Sequence, residues 1–334
     1  MRAVEWEGPE RLRLVERPEP RAAPGQAVVA VSACGICGSD LHSYRSGFAA
    51  RPGQVLGHEF SGVVVEAPGV DGIEPGSRVT VRPLMPCGKC AACRRGDPQL
   101  CVRGLADSVG YGRDGAFAER VLVPRAVPGL TVFPLPDAVD DRAAALTEPL
   151  AVALHAMRLA PDIRGVDALV LGTGTIGLGV VAFLRLAGAR LITVVDPSAL
   201  RRRAAEVQGA DLCLDPAAAD AEAVSADVVF ECAGADATMA AAIRAVRPGG
   251  AVVVSALFGR RVEFSPDRLT AKEASLVGAF GYRDEFAAVI EALASGAVDG
   301  ESLISHELPL ERIDEAFRIQ GDAAASLKVL VRPG

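Results

Sequence analysis

Apolar positions along this chain change their rhythm near residue 150. Over roughly the first 130 residues they come in short runs, Val28 to Ala33, Gly62 to Val65, Arg78 to Val81 and Phe117 to Val123, parted by segments rich in Gly and Pro. Short runs between turn signals suit strands that fold back on one another, so this part is predicted to be a largely antiparallel barrel or sandwich. A helical stretch from about Glu148 to Leu159 follows. From Val166 apolar strands alternate with alanine-rich helices, the strands being Ala168 to Leu171, Leu191 to Val195, Leu212 to Leu214, Val228 to Glu231, Ala251 to Ser255 and Ser275 to Phe280. Strands joined by helices imply a parallel, doubly wound sheet, because parallel neighbours need a crossover of helix length. Beyond Tyr282 come a helix, a strand Leu303 to Leu308, a helix from about Leu310 to Ile319 and a last strand Leu327 to Val331. Periodicity leaves open whether this tail extends the parallel sheet or returns to the first domain.

Composition narrows the function. The 334 residues, half of them apolar, are enough for about two cored domains. A formal charge of −7, a pI near 5.3 and only 4% aromatics disfavour a nucleic-acid partner. The N-terminus is charged from Arg2 and has no apolar leader core, which predicts a cytoplasmic protein. The 17 uncharged residues between Asp167 and Arg185 are too short and glycine-rich to predict a membrane span. In a reducing compartment the eight cysteines read as metal ligands and small buried hydrophobes.

Two motifs carry chemistry that spacing alone can argue. Gly172, Gly174 and Gly177 follow a strand and open a helix in LVLGTGTIGLG, with Thr175 and Ile176 inside the turn. Such a turn lets a pyrophosphate approach the free N–H groups of a helix N-terminus. Nineteen residues after Gly177, Asp196 ends the next strand, placed to accept the adenosine ribose hydroxyls and repel a 2′-phosphate. NAD is therefore favoured over NADP, while Arg201, heading the run to Arg203, keeps NADP open; a glycine turn that binds nothing is the bland alternative.

Cys87, Cys90, Cys93 and Cys101 follow one another at spacings x2, x2 and x7. Four thiolates on one loop can close a tetrahedron around Zn²⁺ with no place for water, which makes a structural site. Lys89, Arg94 and Arg95 suit its net negative charge; a pair of disulfides is the alternative. Upstream, CGICGSDLH supplies Cys34, Cys37, Ser39, Asp40 and His42, and GHEFSG supplies His58 and Glu59. A thiolate, an imidazole and a carboxylate make a three-ligand zinc site with an open position. A redox pair of Cys34 and Cys37 stays as its competitor.

Taken together, CGICGSDLH, GHEFSG, the four-cysteine loop, GTGTIG and Glu148-Pro149-Leu150 resemble the zinc-dependent medium-chain dehydrogenases, closest to the sorbitol, threonine and butanediol dehydrogenase branch. The resemblance implies an α/β protein. A GroES-like, mostly antiparallel catalytic domain, residues 1–151 and 283–334, would surround a Rossmann coenzyme domain of residues 152–282. By motif position Cys37, His58 and Glu59 look like catalytic zinc ligands, with Glu148 approaching the metal directly or through water. Cys34 matches a non-ligand position, Cys213 and Cys232 are expected to be buried packing residues, and Asp40 is expected to orient His58. His155 and His306 are read as structural.

The chemistry implied is hydride transfer between NAD(H) and a secondary alcohol or ketone, with two zinc ions per chain. Ser39 would hold the substrate oxygen and pass its proton through the nicotinamide ribose towards His42. One thiolate and one carboxylate on the zinc should temper its acidity, so that a base such as Glu148 is needed. Tyr44, Phe117 and Tyr282 fall in stretches that line the substrate pocket in this branch. Phe280-Gly281-Tyr282 replaces an Arg-Tyr pair found in sorbitol-type enzymes, which argues against sorbitol and leaves a diol, polyol, cyclitol or amino alcohol. A homodimer or homotetramer is implied by the same resemblance. The competing readings are an NADPH-linked, zinc-free quinone-reductase-like relative and a non-catalytic NAD-binding relative.

Overall fold

The N-terminal runs pair around one central strand. In a computed structural model that describes residues 1–217 and 223–334, Ala27–Gly35 pairs antiparallel with Glu59–Glu66, Arg120–Val123 and Lys328–Arg332. The sheet continues from Glu59–Glu66 through Arg78–Val81 to Val132–Pro134. At its other side Lys328–Arg332 pairs parallel with Ile304–Pro309. The tail thus returns to the first domain. Strand alternation shows why it fits: Val329 and Val331 enter the barrel core with Val29, Phe60 and Val79, while Leu330 turns to the opposite face against Ala33 and Ala145. A hairpin of Arg2–Gly8 and Arg11–Glu16 was not legible from the apolar pattern, because its second strand, RLRLVE, buries little. The run expected to start a strand at Phe117 becomes one only at Arg120.

The second half forms a six-stranded parallel sheet in the order Leu212–Leu214, Leu191–Val195, Asp167–Leu171, Ala226–Glu231, Val246–Val254, Ser275–Gly278. Chain order reverses between Asp167–Leu171 and Ala226–Glu231, and an open sheet of this kind binds ligands in the crevice beyond its strand ends at that point. The helix Thr147–Arg158 lies between the two sheets. One apolar cluster runs from Leu84 and Phe133 through Leu150 and Leu154 to Val170 and Val194, so the two halves share packing as well as chain. Buried His155 on this helix sets Nδ1 3.0 Å from Glu285 Oε1 at the start of the helix Glu285–Ala294. Burial opposes the Glu285 charge, but His155 and the Arg283 N–H outweigh it and hold the carboxyl down at about 2. Among the described residues no helix is long and apolar enough to cross a membrane.

Candidate active site

Strand register builds the metal cluster. Gly35 stands opposite Glu59 and Cys34 opposite Phe60. Cys37, just past the end of one strand, therefore meets His58, just before the start of the other. One ligand atom each from Cys37, His58 and Glu59 all lie within 4.8 Å of one another. Gly35 is what leaves room, since a Cβ there would overlap Glu59 Oε2. Gly35→Ala is accordingly expected to keep its melting temperature within a few degrees but lose activity about 10- to 100-fold, the usual cost of disturbing the surroundings of a metal ligand. Kinetics beside a thermal melt check this, and full activity would refute it.

The helix Gly38–Ser46 starts at this cluster, with Cys37 as its cap. Asp40 Oδ2 accepts the Cys37 N–H at 2.9 Å, and Asp40 Oδ1 lies 3.5 Å from His58 Nδ1. On the other edge of the ring, Tyr111 Oη lies 3.2 Å from His58 Nε2 and 2.9 Å from Ser39 Oγ. Burial discourages a charge on His58, but Tyr111, Asp40 and Cys37 reverse this and push its pKa well up. Surroundings that stabilise a proton on this ring also stabilise a cation beside it. A half-buried thiol with a buried imidazole and carboxylate is a donor set that zinc accepts. The residues therefore fit the ion.

Two participants were missed by the sequence reading. Tyr111 sits in the irregular segment VGYGRDG, where nothing marks it. Lys328 did carry a signal, a lone charge in the otherwise apolar run LKVLV. Wholly buried, its Nζ donates to Glu59 Oε2 at 2.5 Å and to the Ile36 carbonyl at 3.0 Å. Glu59 thus shares its charge with an ammonium, which offsets part of the tempering expected from two anionic ligands. Glu148 faces the same cavity but is not within the 4.8 Å cluster. Burial pushes its carboxyl up to about 7, with Glu59 adding to the rise and His58, Lys328 and Tyr282 opposing it.

The second cluster is made by one loop. The sulfurs of Cys87, Cys90, Cys93 and Cys101 lie within 4.8 Å of one another, with Cys90 3.5 Å and Cys87 4.0 Å from Cys93. These separations bracket the edge of about 3.8 Å that a zinc–thiolate tetrahedron requires, and none of the four is in a disulfide. The Cys93 N–H draws the Cys90 thiol down to about 6, towards the thiolate a metal needs.

A cleft of about 670 Å³ joins the first cluster to the crevice of the parallel sheet. Ser39, His42, His58, Glu148, Ile176 and Tyr282 all line it. At its sheet end Gly172 has φ +87 and packs on Ala233, while a Cβ on Gly177 would overlap the Gly172 carbonyl. Gly174 instead faces space, with only Arg201 Nη1 3.9 Å from where a Cβ would stand, and no side chain caps the helix Thr175–Leu186 that begins beside it. Such a cradle fits a pyrophosphate. Asp196 is pinned at the strand end, Oδ2 accepting from Thr173 N at 2.7 Å and Oδ1 from Ser198 N at 2.8 Å. Each oxygen keeps a lone pair for a ribose hydroxyl.

Two of the expected pocket residues lie elsewhere. Tyr44 occupies the other side of its helix, its ring 5.1 Å from Phe317 and its hydroxyl on the Glu10 carbonyl. Phe117 is 1% exposed and points into the barrel core, 5.6 Å from the same phenylalanine. Apolar packing against Phe317 claims both rings. Cys232 packs against the core as expected and also lines the cleft, Sγ 3.2 Å from Ser255 Oγ, with burial holding its thiol up at about 12. His306, on the strand Ile304–Pro309, has its ring Nδ1 3.0 Å from Ser305 Oγ.

Comparison with known proteins agrees with this fold. Residues 23–137 match the family described as Alcohol dehydrogenase GroES-like domain, and residues 175–295 match Zinc-binding dehydrogenase. The (R,R)-butanediol dehydrogenase of Bacillus subtilis (strain 168) is 34% identical with 100% of both chains covered. A crystal structure from Sinorhizobium meliloti 1021, described as a zinc-binding dehydrogenase bound to NADP, superposes with a TM-score of 0.89 at 37% identity over 99% of each chain. The L-idonate 5-dehydrogenase from Escherichia coli str. K-12 substr. MG1655 gives a TM-score of 0.91 at 29% identity, covering 99% of this chain and 98% of the other. The chain belongs to the zinc-dependent medium-chain dehydrogenase family and is an NAD(P)-linked oxidoreductase acting on a secondary alcohol or its ketone.

Proposed function

We propose that this enzyme oxidises a secondary alcohol of a diol, polyol, cyclitol or amino alcohol with NAD⁺, using one zinc at Cys37, His58 and Glu59 and a second, structural zinc at the four-cysteine loop. The observation that carries the reading is that the Cys37 cluster and the glycine-turn crevice open on one cleft. When bound, zinc supplies the acidity that frees the alcohol proton and the nicotinamide accepts the hydride. Ser39 and Tyr111, their hydroxyls 2.9 Å apart beside His58, hold the substrate oxygen and relay its proton, each hydroxyl accepting one as it passes its own on towards His42. His42, one helical turn from Ser39 and lining the same cleft, suits the last transfer to solvent because an imidazole ring can accept a proton on one nitrogen and give one up from the other. Buried Glu148 holds the facing wall and is the candidate base. The apolar lining from Leu84, Val152 and Ile176 limits water around the reacting carbon.

Asp196 supports NAD. Arg201, which reaches over the glycine turn, and the NADP in the Sinorhizobium structure support NADP as a second reading. A panel of diols, polyols, cyclitols and amino alcohols, each with NAD⁺ and NADP⁺ and followed by reduced nicotinamide absorbance, tests the activity. Asp196→Ser should shift the NAD/NADP ratio of kcat/KM towards NADP by at least about tenfold, the worth of one charge-assisted hydrogen bond. A ratio equal to wild type would remove Asp196 from cofactor choice; a loosened turn alone would weaken both cofactors alike.

Self-association through the parallel sheet is also proposed. Its edge strand Ser275–Gly278 has a partner on one side only and leaves Leu276 exposed. Light scattering of the eluted protein should give two or four chains, and a monomer would refute it.

A further inference from the structure

Beyond the metal cluster the cleft is walled mainly by apolar side chains, Phe48, Leu84, Leu105 and Phe280 among them, and Arg51 is the one guanidinium among its described lining residues. The placement of Arg51 is built into the fold. Its backbone N–H donates to Gln54 Oε1 at 3.2 Å, and its Nη2 donates to the Gly112 carbonyl at 3.0 Å. Gln54, itself buried, fastens its amide to the carbonyls of Tyr111 and Arg113. The segment leading in passes through Ala49 at φ +54, a left-handed conformation that alanine seldom adopts. Strain of this kind persists where the surroundings fix it, and it collects around ligand sites.

Among the described residues the Gly112 carbonyl is the sole acceptor for the Arg51 guanidinium, and no carboxylate pairs with it. Arg78 and Arg142, in contrast, each pair with a carboxylate. Most of the Arg51 donors are therefore free, on an exposed side chain that lines an otherwise largely apolar cleft, where a planar fork favours a bidentate oxyanion. The same cleft is also lined by Cys37, His58 and Glu148, and the Glu148 carboxylate, when ionised, disfavours an acid group beside it. Gly112 and Tyr111 connect Arg51 with this cluster, because Arg51 donates to the Gly112 carbonyl and the hydroxyl of the neighbouring Tyr111 reaches His58. A molecule with an acid group a few carbons from a secondary hydroxyl spans that path.

We infer that the substrate carries a carboxylate or phosphate a few carbons from the reacting hydroxyl, and that Arg51 selects it. This rests on the dehydrogenase reading above. Neutral hexitols, hexonates and hexitol monophosphates with NAD⁺ form the test, on wild type, Arg51→Gln and Arg51→Lys. In wild type an acid or phosphate is expected to exceed its neutral counterpart in kcat/KM by on the order of 10- to 100-fold. Arg51→Gln should erase that ratio and Arg51→Lys restore part of it. Hexonates and monophosphates as separate arms name the source of the charge. Neutral hexitols turned over as well as the charged ones, or a ratio unchanged in Arg51→Gln, overturns the inference and leaves the dehydrogenase reading standing. If no compound is turned over, titrating hexonate, hexitol monophosphate and hexitol into the enzyme–NADH complex and following nicotinamide fluorescence decides it. Tighter binding of either charged compound, lost in Arg51→Gln, supports the inference, and equal or absent binding overturns it.

Discussion

Cys37→Ser is expected to lower kcat/KM by at least about a thousandfold and to leave one zinc per chain instead of two. A metal acting as a Lewis acid contributes several kcal/mol to the barrier, and each 1.36 kcal/mol is about tenfold in rate. A serine hydroxyl does not ionise near neutrality, so the cluster would keep only His58 and Glu59. The fold should survive, because Glu59 remains paired with Lys328 and the buried charge stays compensated. Steady-state kinetics, metal analysis and a thermal melt on one preparation separate these effects. A variant with two zincs and a tenth or more of wild-type activity would show that Cys37 is not a ligand the reaction needs.

Cys93→Ser acts on stability instead. Structural zinc bound by small domains is worth about 10–16 kcal/mol of apparent folding energy, and part of that belongs here to one loop. The loop is tied into the cleft wall: Asp97 accepts from Arg283 Nη2 at 2.7 Å, and Gln99 packs beside Gly281, next to Tyr282. A loss of a few kcal/mol in a chain of this size lowers the melting temperature by on the order of 10 °C. Activity should fall with it, since Phe280, Gly281 and Tyr282 line the cleft. Differential scanning calorimetry with metal analysis checks the expectation. An unchanged melting temperature after loss of one zinc would mean that the tetrad holds nothing together.

What could be read in advance was whatever lies close in sequence. The tetrad, the glycine turn and the CGICGSDLH and GHEFSG segments each bring their groups together over a few residues, so spacing alone argued their chemistry. The parallel sheet was legible for the same reason, its strands being continuous apolar runs between helices. Lys328 and Tyr111 were not legible as site residues, because register across the sheet and the path of an irregular loop bring them to the cluster. The helix Gly38–Ser46 was equally hidden: its sequence, GSDLHSYRS, is polar on most faces, and it is held by its cap on Cys37 and by Asp40 more than by an apolar stripe. Tyr44 and Phe117 were placed in the pocket because of the stretches they occupy, yet Phe317, two hundred residues further on, draws both rings away from it. Position in a motif locates a backbone; which side of it a ring packs on is decided by partners that the motif does not contain.

Anomalous diffraction at the zinc edge, from crystals of active enzyme, locates every zinc ion in the chain. Two peaks per chain are expected, one enclosed by the sulfurs of Cys87, Cys90, Cys93 and Cys101 and one bounded by Cys37, His58 and Glu59 with a coordination position open to the cleft. A single peak at the four-cysteine loop, in protein that still oxidises its alcohol, would contradict that expectation.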